Sequence, residues 1–125
     1  MSKLIDAVKA NNLEECKALL ENGASVEESN SLGYTTIFHA VKNENLEIVK
    51  LLIENGANVN ARSWGGRMSM MAGGMTPLFI AVLMHNIEIA KILIENGADL
   101  NIRDHDGNTT LIIAVRSGNI KMAVS

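Results

Sequence analysis

Cys16 is the chain's single thiol, and His39, His85 and His105 are its only imidazoles, so nucleophilic or metal chemistry has few residues to draw on. A thiolate nucleophile needs a base within hydrogen-bond reach and a further group to orient that base. Cys16 lies instead among Leu13, Leu19 and Leu20 on an apolar helical pattern, and it reads as a small buried hydrophobe. One thiol closes no internal disulfide, which points to a reducing compartment, the cytoplasm. The three histidines lack zinc-ligand spacing and fall on separate features of the chain. Met68, Met70 and Met71 would suit a soft ion such as Cu(I), but no His or Cys stands near them in sequence. Gly65-Gly66 and Gly73-Gly74 lack the Lys-Ser/Thr partner that a phosphate loop requires. Acidic residues pair along helices, Glu47 with Lys50 and Glu88 with Lys91, and form no catalytic couple. No catalytic residue, cofactor or metal is expected, and a small metal-binding protein is the weakest alternative.

Composition narrows the partners. The chain has 125 residues, 11 basic against 14 acidic, and a net charge of -3. Dispersed basic residues give no coherent surface for a phosphate backbone, which argues against nucleic acid. The opening MSKLIDAVKANN carries charges within its apolar pattern, so neither a secretory leader nor a membrane span is expected.

The elements that position these residues repeat. LEECKALLENGAS, LEIVKLLIENGAN and IEIAKILIENGAD place Gly-Ala pairs at Gly23, Gly56 and Gly97, 33 and then 41 residues apart. Gly33-Tyr34-Thr35-Thr36-Ile37-Phe38-His39-Ala40, Gly74-Met75-Thr76-Pro77-Leu78-Phe79-Ile80-Ala81 and Gly107-Asn108-Thr109-Thr110-Leu111-Ile112-Ile113-Ala114 open successive units. The pattern resembles the ankyrin family, whose unit is a turn and two antiparallel helices with a consensus near Gly-x-Thr-Pro-Leu-His-x-Ala. The resemblance implies an α-helical solenoid of stacked helix pairs with β-turn or hairpin connections, in a single domain spanning 1–125.

The units fall at about 2–32, 33–65, 74–106 and an incomplete 107–125. Helices are expected from Ser2 to Ala10, Leu13 to Asn22, Thr36 to Asn43 and Leu46 to Asn55, followed by a pair capped at Thr76-Pro77 and carrying Ile87, Ala90, Leu93 and Ile94. Leu46, Val49, Leu52 and Ile53 should form a packing face, with Ala40, Ala81 and Ala114 permitting close helix approach. The first unit, with Lys9, Glu14, Glu15, Lys17 and Glu21 outward, suits a capping repeat. In the fourth, a helix near Thr110 to Ser117 is followed by a second that Ser125 cuts short. An artificial boundary, a frayed natural end, or coverage by another copy or domain would each account for it. Residues 66–73 are an eight-residue excess, read as an enlarged loop at the hairpin edge; its methionines are adaptable contact material for a partner, and the alternative is a tolerated insertion with no function.

The resemblance further implies that hairpin tips and the exposed sides of first helices form a concave face for protein recognition. Carried over by offset, that face holds Tyr34 and Lys42, with Ser31 and Asn43, then Trp64, Met75, Leu83 and Met84, and finally His105 and Arg116 with Asn108 and Ser117. Trp and Tyr are enriched in binding hot spots, and the chain's only Trp and only Tyr both fall here. For His39 the resemblance implies the turn-linking hydrogen bonds of the family's histidine, with Ile80 and Ile113 at the matching positions. Asn60 and Asn101 match hairpin asparagines that are hydroxylated in some relatives, although backbone bonding is the preferred role here. The leading expectation is a non-enzymatic adaptor or scaffold that binds an unidentified protein client as a cytoplasmic monomer, with association through the incomplete fourth unit as the alternative state. Its rival is a structural fragment of a larger array.

Overall fold

The computed structural model describes residues 3–62 and 76–99, and these contain six helices. They are α1 (Lys3–Lys9), α2 (Leu13–Glu21), α3 (Thr36–Lys42), α4 (Leu46–Glu54), α5 (Pro77–Leu83) and α6 (Ile87–Glu95). Each sequence-based boundary within the described residues lies within a residue or so of the observed one. Ser2, expected to cap α1, and the fourth unit lie outside them, as does the 66–73 excess.

The boundaries are sharp because asparagines close both ends of each second helix. Asn12, Asn45 and Asn86 are N-caps whose side-chain oxygens accept from Glu15, Ile48 and Ile89 amides at 3.1, 3.1 and 3.0 Å. At the other end Asn22, Asn55 and Asn96 donate their side-chain amides to the Ala18, Leu51 and Ile92 carbonyls at 2.9, 2.9 and 2.8 Å. Gly23, Gly56 and Gly97 follow with φ of 92°, 87° and 94°, the left-handed conformation that lets the next amide reach back to Leu19, Leu52 and Leu93. A Cβ at these glycines would meet nothing within 4 Å, so backbone conformation alone demands glycine there. Thr76 caps α5 by accepting from the Phe79 amide at 3.2 Å, with Pro77 at the first helical position.

The pairs stack in two layers. First helices pack α1 on α3 and α3 on α5, and second helices pack α2 on α4 and α4 on α6. One continuous core runs between the layers, through Leu4, Val8, Cys16, Phe38, Val41, Leu52, Phe79, Val82 and Leu93. Ala40 and Ala81 are fully buried, which lets the layers approach closely. The α4 face is centred differently from the expected one: Ile48, Val49 and Leu52 are fully buried, whereas Leu46 and Ile53 are only partly so. The equivalent positions of α6, Ile89, Ala90 and Leu93, are fully buried as well, so the same arc is covered on both helices.

No β-strand occurs among the described residues, and the connection from α2 to α3 turns through the bond from the Gly33 amide to the Asn30 carbonyl at 3.0 Å. A single antiparallel bridge joins Ser29 and Thr35. The repeats are registered mainly by side chains. Asn43 donates to the Val8 and Lys9 carbonyls at 3.2 and 3.1 Å, which ties its amide to the preceding repeat. Asn45 donates to Asn11 at 3.1 Å, and Asn86 to Glu44 at 3.2 Å. The acceptors Asn11 and Glu44 have φ of 57° and 56°, a conformation that turns each side chain toward the following cap. Asn60 donates to the Gly97 carbonyl at 2.9 Å and accepts from the Asp99 amide at 2.7 Å. The expected bonding to backbone is present, but it ties Asn60 to the next repeat and does not shape its own connection. In the preceding connection Glu27 accepts from the Asn58 amide at 2.8 Å.

Candidate functional site

The first helices end on one side of the stack, and their last turns define a groove of about 600 Å³. Lys9, Lys42 and Leu83 occupy equivalent last-turn positions on α1, α3 and α5, and all three line it. Phe38, His39 and Ile80 line it from α3 and α5, and Met84 from the end of α5. The remaining wall is the connection into α3, through Asn30, Leu32 and Tyr34. Lysine suits a helix C-terminus because its charge opposes the helix dipole there. The side chain that suits the helix end also places an ammonium at the groove.

The connecting wall is built by Asn30. Its side-chain oxygen accepts from the Leu32 and Tyr34 amides at 2.9 and 3.1 Å. Its own backbone amide donates to the Tyr34 carbonyl at 3.1 Å, and its carbonyl accepts from the Gly33 amide at 3.0 Å, where Gly33 has φ of 81°. Below the loop, the Thr36 hydroxyl donates to the Val26 carbonyl at 2.6 Å. Tyr34 then meets Phe38 edge-on, with ring centroids 5.1 Å apart and planes at 73°. Leu32 is left 61 % exposed, and Leu83, which also lines the groove, is 37 % exposed.

His39 departs from the expectation. Its Nε2 is buried without a hydrogen-bond partner, as is the hydroxyl of Thr35. Counted from Gly33, the consensus histidine falls at Phe38, and from Gly74 at Phe79, both fully buried. His39 therefore holds the variable position beside it, matched by Ile80, and faces the groove and not a turn network. Burial lowers its pKa from the ordinary value, and Lys9 and Lys42 lower it further by repelling a second positive charge. Protons thus bind the unfolded chain more readily than the fold. Stability from neutral His39 is complete above the unfolded value of about 6.5 and declines as pH falls from there toward the folded value. The variant His39→Gln is expected to flatten this slope as pH falls below about 6.5, as read by urea midpoints at each pH.

Of the residues expected on the client face, Tyr34, Lys42, Leu83 and Met84 meet around this one groove, although residues 34 and 84 lie in different repeats. Trp64, Met75, His105 and Arg116 lie outside the described residues. Lys9, Asn30, Leu32, Phe38, His39 and Ile80 were missed as lining residues. Lys9 was within reach, since it stands 33 residues before Lys42, the repeat's own period.

Elsewhere the described residues hold little reactive chemistry. Cys16 is a fully buried free thiol whose pKa is raised by burial and then by Glu15, which opposes thiolate formation. No group of three or more His, Cys, Asp or Glu among the described residues could hold a metal ion. No helix among them is long and apolar enough to cross a membrane. No curated protein matches the chain. The family described as "Ankyrin repeats (many copies)" matches residues 4–53, 37–94 and 84–124. Those matches take in both helical layers and every described wall of the groove, and ankyrin repeats are non-catalytic modules of protein interaction; the chain belongs to the ankyrin-repeat family.

Proposed function

We propose that this protein is a non-enzymatic adaptor or scaffold that docks another protein in the groove along α1, α3 and α5. The observation carrying this reading is the convergence of Leu32 and Leu83. They are the exposed large hydrophobics among the described residues, they come from different repeats, and both line the same groove. Single exposed apolar residues are ordinary on a protein surface, whereas a shared concavity of this size suits a ligand. The Asn30 hydrogen bonds fix one wall before any partner arrives, which reduces the ordering that docking requires. The working form is read as a monomer, and the cytoplasm suits a chain whose one thiol is free and buried.

The test is client capture by crosslinking from the source cells, comparing wild type with a Leu32→Ser/Leu83→Ser variant and with Lys50→Ala on the exposed surface of α4. Circular dichroism establishes that each remains folded. A client kept by wild type and by Lys50→Ala, and lost by the double variant, supports the reading. A client kept equally by all three places docking elsewhere.

A further inference from the structure

We propose that the groove selects an extended partner segment with an acidic side chain at the Lys9 and Lys42 end and a bulky apolar side chain at the Ile80, Leu83 and Met84 end. The proposal rests on the docking reading above and adds the chemistry of the occupant. The charge pattern is the first argument. The chain as a whole is acidic, at -3, yet both charged residues that line the groove among the described residues are lysines. Their ammonium groups lie near enough to His39 to disfavour its protonation, so the two fields overlap on one patch. A carboxylate placed there would relieve that like-charge crowding.

Position supplies the second argument. Lys9, Lys42 and Leu83 sit at the same turn of three first helices packed side by side, so they form a row across the stack. Packed helix axes stand about 8–10 Å apart, and an extended chain rises about 3.3 Å per residue. A carboxylate answering the lysine pair is then about three or four residues from an apolar side chain answering Leu83. Leu32 and Tyr34 on the loop side add apolar surface along the row.

Other occupants fit less well. The chain's own segment 63–75 has Arg67 as its one charged residue and no carboxylate, so it cannot answer the lysines. A second copy would bring the same pair of lysines to the shared face in any two-fold arrangement.

Panning a random peptide library on the immobilised full chain tests the assignment. Wild type is expected to enrich Asp or Glu about three or four residues from Leu, Phe or Met. A Lys9→Glu/Lys42→Glu variant, altered only at exposed positions, is expected to enrich Lys or Arg in place of the acid while keeping the apolar residue. Synthetic versions of the wild-type peptides should bind the reversed variant about tenfold more weakly at low ionic strength, a difference that salt reduces. Leu83→Ser should remove the apolar preference. Identical sequences retained by wild type and the charge-reversed variant would overturn the acidic assignment while leaving the docking face intact. Sequences indifferent both to charge reversal and to Leu83→Ser would overturn both. Retention of no peptide would overturn the proposal, with dimeric elution pointing to a second copy and a Trp64 emission shift on Leu83→Ser pointing to residues 63–75.

Discussion

Leu52→Ala is expected to lower unfolding free energy by about 2–5 kcal/mol, the range for deleting a buried leucine side chain. Leu52 is fully buried in the last turn of α4, the second helix that contacts both α2 and α6. A repeat stack is stabilised by the sum of its units and their interfaces, so a hole at this point weakens one unit and loosens both of its contacts. A domain has roughly 5–15 kcal/mol in total, and the loss is a large share of that. The Leu52 carbonyl also accepts from the Ala57 amide at 3.0 Å, which ties the helix to the glycine turn beyond it. Urea unfolding followed by circular dichroism should show a lower midpoint, while Lys50→Ala, on the exposed side of the same helix, should stay within about 0.5 kcal/mol of wild type. Equal midpoints for the two variants would mean that α4 is not the central helix of its layer.

Thr36→Val should destabilise by about 1–3 kcal/mol, although the two side chains are nearly the same shape. The Thr36 hydroxyl is buried and donates to the Val26 carbonyl at 2.6 Å. Valine leaves that carbonyl without its partner and adds no contact in return. Thr36→Ser, which keeps the donor, should recover most of the loss. Because this bond holds the base of the loop that carries Asn30, Leu32 and Tyr34, Thr36→Val should also weaken client binding more than its effect on stability alone would suggest. Calorimetric unfolding of the three proteins, alongside affinity for any captured client, separates the two effects.

The repeat spacing made the helices legible because helix punctuation is local. The Thr76-Pro77 start and the Gly23, Gly56 and Gly97 ends follow from backbone preferences that need no knowledge of neighbours. What resisted sequence reading depends on neighbours in space. The bonds from Asn43 to Val8 and Lys9 span more than thirty residues, with separations of 35 and 34, and asparagine at a helix end gives no sign of which partner it will find. Ile48 lies off the expected face for a related reason: its full burial, on a helix packed against α2, α3 and α6, comes from tertiary contacts and not from the spacing of apolar residues.

The groove divides in the same way. Tyr34, Lys42, Leu83 and Met84 could be assembled by repeat offset, because an exposed position on one first helix maps onto the next. Leu32 could not, since its prominence comes from a loop closed by Asn30. His39 was placed one position out of register in the family consensus. The burial of Phe38 and Phe79 fixes the register, and with it the neutral imidazole at the groove.

Hydrogen exchange of the full chain with and without the best peptide recovered by panning tests the central claim most directly. Binding in the groove predicts slower exchange in the amides from Leu32 to Tyr34 and at the ends of α3 and α5, near Lys42 and Met84, with α2, α4 and α6 little changed. Protection centred on α2, α4 and α6, with the groove amides unchanged, would place recognition on the opposite layer and contradict the account.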